Sequence, residues 1–416
     1  MHPPRDENVV YDSSMDTTTQ ASGAAKPPIP KSIWVLGFVS LLMDISSEMI
    51  HSLLPLFLVT GLGASALTVG AIEGLGQSTA LIVKVFSGML SDYLGNRKNV
   101  VLFGYAMGAA TKPVFALASG IGMIFSAKII DRVAKGIRSA PRDALIADLT
   151  PKVILGSAFG LRQSLDTVGA ILGPLLAVVL MLFWANDFRA VFWMAVIPGA
   201  LAALLFAIGI KEPERNALDV QAKLNPIRRS NLKRMSPSFW WITAIGGIFT
   251  LARFSEAFLV LRAEQTGIAL ALVPLVMVVM NVVYASTAFP FGKLSDKMSH
   301  RILLITGLIV LFVADLVLAN STHWSMVLIG VALWGVHMGM TQGLLATMVA
   351  SSAPEDLRGT AFGFFNLVSG LAMLAASITA GLLWDSLGAS STFYAGAMFC
   401  VIALAMLISR PKHQLK

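Results

Sequence analysis

Long apolar runs separated by short polar breaks dominate the chain. The runs cover approximately 32–59, 66–90, 99–118, 122–147, 156–184, 189–210, 238–261, 268–291, 302–319, 325–350, 361–384 and 391–409. Each holds 18 to 29 residues, close to the roughly 20 that a helix needs to cross a hydrocarbon layer. In lipid the backbone must satisfy its own hydrogen bonds, so such runs predict helices. The expectation is an all-α membrane protein of twelve transmembrane helices. The longest polar break, 211–237, carries Lys211, Arg215, Lys223, Arg228, Arg229, Lys233 and Arg234 against Glu212, Glu214 and Asp219. It separates six runs from six. The expected organisation is a tail (1–31), a six-helix bundle (32–210), a linker (211–237), a second six-helix bundle (238–409) and a short tail (410–416).

Composition agrees with the pattern. Of 416 residues 56% are hydrophobic and 13% charged, with a mean hydropathy of +0.75; a soluble domain carries about 25% charged residues. Residues 1–30 are polar and lack the apolar core and cleavage site of a secretory signal, so they are expected to form a disordered tail. The net charge of +8 has no soluble basic domain to carry it, which argues against a nucleic-acid partner. Its placement instead sets orientation. With the N-terminus in the cytoplasm, twenty of the 31 Lys and Arg residues fall in cytoplasmic segments, Arg189 and Arg262 fall outside, and nine lie within the runs. The positive-inside rule then puts both termini in the cytoplasm. Cys400 is the sole cysteine, and the six histidines lack metal-binding spacing, so no disulfide, metal or cofactor is expected. No GxxxxGK[ST] loop occurs, which removes ATP as a drive within this chain.

The halves echo one another at an offset of just over 200 residues. Gly88-Met-Leu-Ser-Asp92 matches Gly292-Lys-Leu-Ser-Asp296, Ser47-Glu48 matches Ser255-Glu256, and Ala158-Phe-Gly160 matches Ala361-Phe-Gly363. Parallel repeats of this kind place a substrate site where the halves face each other. The segment from Gly88 through Asp92, Gly95 and Arg97 resembles the loop between spans two and three of the major facilitator superfamily, G-x-L-a-D-r-x-G-r-k, and Gly292, Asp296 and Arg301 fall in a degenerate copy. Asn96 and His300 stand where that family usually has Arg. The resemblance implies two pseudo-symmetric six-helix bundles and a cytoplasmic gate at these residues. Gly160, Gly169, Gly173 and Pro174 in the fifth span resemble the superfamily's antiporter signature, with Ala177 and Val178 in place of its final glycines. In the family this signature accompanies exporters that exchange substrate for protons. The stretch from Asp131 to Asp148 also resembles a run found in a subset of bacterial members.

Charges within the runs carry the remaining information, because each costs about 2.5–3.5 kcal/mol at mid-bilayer unless paired or hydrated. In the fourth span Lys128, Asp131, Lys135, Arg138 and Arg142 follow spacings of three and four and share a helical face. That face must line water, hold an anion or meet carboxylates. Asp44, Glu48 and His51 share a face of the first span, Glu73 and Gln77 one of the second. Arg162 and Asp166, and likewise Arg253 and Glu256, are spaced to pair within a helix. In the superfamily the first, fourth, seventh and tenth spans line the cavity, which implies that Asp44, Glu48, Arg138 and Glu256 face substrate, with His337 and Gln342 as hydrogen-bonding neighbours.

Proton coupling needs a carboxyl group that alternates between desolvated and paired or wet surroundings. Glu48 leads the candidates, ahead of Glu73 and Asp166, with Asp44 on its own face and Glu256 as its repeat-related counterpart. The competing reading makes Glu48 a permanent partner of a fourth-span cation. The expected function is therefore that of a secondary transporter, not an enzyme: a monomer in the bacterial inner membrane that exports a small, anionic or metal-chelating molecule against proton flow. A proton symporter importing an organic anion would use the same charges. A non-transporting sensor would need an output domain larger than the linker.

Overall fold

In the computed structural model, described over residues 27–94, 96–212, 232, 234–295, 298–354 and 357–409, all regular structure among the described residues is helical. Twelve spans result. The first, Lys31–Gly61, is a helix to His51, a short turn of helix at Leu54–Leu56 and a π-helical stretch at Phe57–Gly61. It is followed by Ala66–Leu94, Arg97–Leu117, Ile121–Leu149, Leu155–Phe183 and Phe188–Gly209. The second set is Pro237–Gln265, Leu275–Ser295, His300–Ala319, Trp324–Ser352, Arg358–Leu387 and Ala389–Ser409. Eleven of these are apolar enough by composition to cross a membrane. The twelfth, Ile121–Leu149, falls short because it carries the charged ridge, yet it packs against the second and third spans inside its bundle.

Local chemistry sets the helix starts. Asn96, Asp187, Ser236 and Ser299 each place a side-chain oxygen on a backbone N–H of the following first turn, at 2.9 to 3.3 Å, satisfying donors that a helix cannot satisfy itself. Gly388, at φ +87°, ends the eleventh span in a conformation that a side chain disfavours. The outer surface is apolar, with Phe183, Ile208 and Leu387 among its most exposed side chains, as a lipid-facing wall requires.

Spans one to six pack among themselves, and so do seven to twelve. Two long seams join the bundles, the second span along the eleventh and the fifth against the eighth, and a shorter contact sets Leu54–Leu56 of the first span against Ala257–Gln265 of the seventh. Small residues permit the first seam. A Cβ on Gly74 would lie 3.0 Å from the Ser377 Cβ, and one on Gly381 would lie 2.6 Å from the Leu67 Cα, so the helices approach backbone to backbone. This seam ends in a carboxylate cap: Asp385 accepts the N–H groups of Ala66 and Leu67 at 3.0 and 2.8 Å. The contact sits at the end opposite the 211–237 linker. The tails 1–26 and 410–416, linker residues 213–231 and 233, and the gate residues Gly95 and Asp296 lie outside the described residues, as does the side chain of Asp92.

Candidate functional site

Two cavities lie between the bundles. The inner one, about 340 Å³, is lined by Glu48, His51, Glu73, Gln77, Arg132 and Lys135 from the first bundle. Arg253, Ser255, Glu256, Trp334 and Gln342 face them from the second. The other, about 470 Å³, lies toward the linker end and is lined by Asp44, Glu48, Lys84, Lys135, Arg138, Arg142, Asp143, Arg162 and Asp166, with Asn281, Tyr284 and Gln342 opposite. Glu48, Lys135 and Gln342 border both. The charged passage thus descends from mid-span toward the linker end, while Asp385 and the glycine seam close the other.

The ridge of the fourth span divides along its length. Lys135, Arg138 and Arg142 line the passage. Lys128 and Asp131 do not: they are buried in an ion-pair cluster. Lys128 Nζ donates to Glu73 Oε1 at 2.6 Å, and Lys112 Nζ donates to Asp131 Oδ1 at 2.8 Å and Ser47 Oγ at 3.0 Å. Both ammonium groups have 0% side-chain exposure. Of the surroundings open to the ridge, Lys128 and Asp131 take ion-pair partners while Lys135, Arg138 and Arg142 line the passage. The upper half of the ridge meets acids from the second span and a lysine from the third, which removes the need for water.

His51 joins that cluster to the cavity. Its ring lies 3.7 Å from both Glu48 Oε1 and Asp131 Oδ2, and Arg132 approaches it at 3.0 Å. Farther along, Arg162 pairs with Asp166, as the four-residue spacing anticipates, and reaches Asp143 at 3.3 Å. Arg142 donates to Ser40 Oγ at 3.0 Å. Arg138 lies over the Tyr105 ring at 5.1 Å. It fits because Gly104 and Gly108 of the third span leave room: a Cβ on Gly104 would come within 2.7 Å of the Arg138 Cβ.

The glycines of the fifth span have a specific neighbour. A Cβ on Gly169 would lie 2.9 Å from that of Asp44, and one on Gly173 would lie 2.7 Å from that of Glu48. Pro174 is buried within the same helix. A Cβ on Gly160 would meet nothing within 4 Å, so close packing belongs to two of the three glycines. At the linker end a Cβ on Gly88 would lie 3.4 Å from that of Ala140, and Arg97 binds Asp148 at 2.6 Å. Glu212 accepts the N–H groups of Arg97 and Lys98 at 3.0 and 2.6 Å. Arg301 donates to the Leu407 carbonyl at 2.6 Å, tying the ninth span to the end of the twelfth. Gly292 borders a third cavity, where an added Cβ would find open space.

Two further expectations change. Arg253 and Glu256 form no ion pair within 4 Å, because the seventh span breaks between Ala252 and Ala257 and the helical spacing that would align them is lost. Both still line the inner cavity. His337 is buried away from the passage, with its Nδ1 2.8 Å from the Gly307 carbonyl and its ring 5.1 Å from that of Phe249. Its helix presents Trp334 and Gln342 to the cavity instead. Asp385 and Lys112 are charges within the spans to which the sequence alone assigns no role. Asp385 had a signal: Asp385-Ser-Leu-Gly388 ends the eleventh span as Asp92-Tyr-Leu-Gly95 follows the second. Among the described residues no cluster of three or more His, Cys, Asp or Glu is placed to hold a metal ion.

Comparison with known proteins places this architecture. The chain is 33% identical over 390 residues to an uncharacterized MFS-type transporter of Methanocaldococcus jannaschii, covering 91% of this chain and 95% of that protein. It is 25% identical over 390 residues to the inner membrane transport protein YajR of Escherichia coli, covering 90% and 82%. A solved POT family transporter in complex with 5-aminolevulinic acid superposes with a TM-score of 0.77 at 14% identity, over 92% of this chain and 96% of that one. An inward-facing bacterial homologue of the lysosomal transporter Spinster, in its occupied conformation, gives 0.75 at 15%, over 92% and 97%. The family model of the Major Facilitator Superfamily matches residues 36–262 and again 251–416, so the chain belongs to that superfamily of secondary transporters.

Proposed function

We propose that the protein is a proton-coupled antiporter of the cytoplasmic membrane, with both termini cytoplasmic, exporting a small molecule that bears an anionic group. The halves 32–210 and 238–409 are its rocking units, joined by the linker 211–237. The observation that carries the reading is Glu48. It borders both cavities, and its helix is seated on Gly173 of the exchange-type signature. With the linker end cytoplasmic, the conformation is inward-facing. Asp44, Glu73, Asp166 and Glu256 are further carboxylates on the path, beside Asp143, and Lys135, Arg138 and Arg142 attract the anionic group. A proton on Glu48 and a cationic group of the substrate paired with its carboxylate exclude one another, which is the requirement for exchange.

A direct test uses everted membrane vesicles with an acidified interior and acridine orange as the reporter of acidity. Compounds that are substrates dissipate the gradient and restore fluorescence in vesicles carrying the parent protein. A chemically varied panel that never restores it would overturn the exchange mechanism, and gradient-driven loss of substrate from the vesicle interior would support the symport alternative.

A further inference from the structure

The charges of the inner cavity point to its cargo more narrowly than the presence of cations does. Three carboxylates line it, Glu48, Glu73 and Glu256, and three cations, Arg132, Lys135 and Arg253. The site is balanced when all six are ionised. Several are already engaged: Glu73 by Lys128 at 2.6 Å, Arg132 by His51 at 3.0 Å, and Glu48 by His51 at 3.7 Å. Among the described residues Lys135, Arg253 and Glu256 have no ion pair within 4 Å. Lys135 comes from the first bundle, Arg253 and Glu256 from the second. The second bundle's wall otherwise combines apolar and aromatic Phe254, Met277, Trp334 and Met373 with the neutral polar Ser255 and Gln342.

We infer that the inner cavity takes an amphoteric substrate, one that carries a carboxylate and an amino group on an apolar body. The carboxylate binds between Lys135 and Arg253, bridging the bundles, and the ammonium binds Glu256 and Glu48, which line the same cavity. This inference rests on the transporter reading and deepens it. A plain anion would bind best when the facing carboxylates are protonated, so proton and anion would travel together. An ammonium competes with the proton for a carboxylate, so the two travel in opposite directions. The amphoteric class therefore fits the unpaired charges and the exchange signature at once. Displacing water from all three unpaired groups in a cavity of about 340 Å³ is unfavourable without oppositely charged partners, and a substrate carrying both charges supplies them.

The test uses matched triplets of an amino acid, its methyl ester and its deamino acid, on side chains of rising bulk up to tryptophan. Binding is read as a rise in melting temperature of the purified full chain. The expected result is that the ligands found are the amino acids, at least tenfold tighter than either partner compound. Arg253→Gln should abolish the preference over the ester while sparing ester binding, and Glu256→Gln should do the same for the deamino acid. Ligands confined to acids or to esters, an unchanged preference in both variants, or no ligand in the panel would overturn the inference. Failure of the exchange reading is separate: acid-only ligands with an intact proton response in vesicles remove the amphoteric class alone, and amino-acid ligands without a proton response remove exchange alone.

Discussion

Gly173 of the fifth span is the floor on which Glu48 of the first span stands: a Cβ at Gly173 would lie 2.7 Å from the Glu48 Cβ and 2.9 Å from the Ile45 carbonyl oxygen. One turn earlier Gly169 does the same for Asp44. The spacing of two glycines thus fixes how deeply the acidic face of the first span is set. Gly173→Ala must push the helices apart. Overpacking of this kind costs about 1–3 kcal/mol, and transport should fall at least tenfold as Glu48 shifts. Gly160→Ala, which meets nothing within 4 Å, should be silent. Parallel vesicle assays and melting curves on the two variants check both outcomes.

The buried pair of Lys112 and Asp131 holds the third and fourth spans together away from the cavity. Lys112→Met leaves the Asp131 carboxylate without its cation, at a cost of about 3–5 kcal/mol. Lys112→Met combined with Asp131→Asn removes both charges and should recover most of that stability. The melting temperatures of the single and double variants measure it. An additive double variant would mean that the two side chains act independently.

Asp385 closes the end opposite the linker by capping the second span from the eleventh. Hydrogen bonds to a charged acceptor contribute about 1.5–3 kcal/mol each, so their loss is large enough to tilt a conformational equilibrium. Asp385→Ala should raise the share of molecules open at this end by tenfold or more, since about 1.4 kcal/mol is a factor of ten. Spin-label distances across Leu67 and Leu387 report it. An unchanged distance distribution would show that the glycine seam holds without the carboxylate.

Much of this was legible in the chain itself. Twelve spans followed from run length, because lipid tolerates little but helices, and the repeat of Gly88–Asp92 at Gly292–Asp296 exposed the duplication. The fourth span was legible to chemistry and missed by composition: its charges disqualify it as an apolar helix, while their three-and-four spacing marks one buried face. Two properties stayed hidden for physical reasons. The break in the seventh span parts Arg253 from Glu256, and no proline or glycine within 253–256 announces it. Whether a charge meets water or a partner depends on neighbouring helices, so Lys128 and Lys135, two turns apart, were indistinguishable until the second and third spans were placed beside them.

Lys135 borders both cavities and makes no ion pair within 4 Å. Lys135→Gln should therefore cost little stability, within about 0.5 kcal/mol as for a position with no such feature to lose, while weakening substrate binding tenfold or more. Lys128→Gln, which strands Glu73, should do the reverse. Melting temperature and ligand affinity measured on both variants separate the two roles.

Proton exchange through Glu48 is tested most directly by the acridine orange response of acidified everted vesicles carrying Glu48→Gln, using compounds that restore fluorescence with the parent protein and bind the purified variant. Loss of the response with binding retained is the expected result. Restoration at the parental rate, at matched expression, would show that the coupling proton is carried elsewhere.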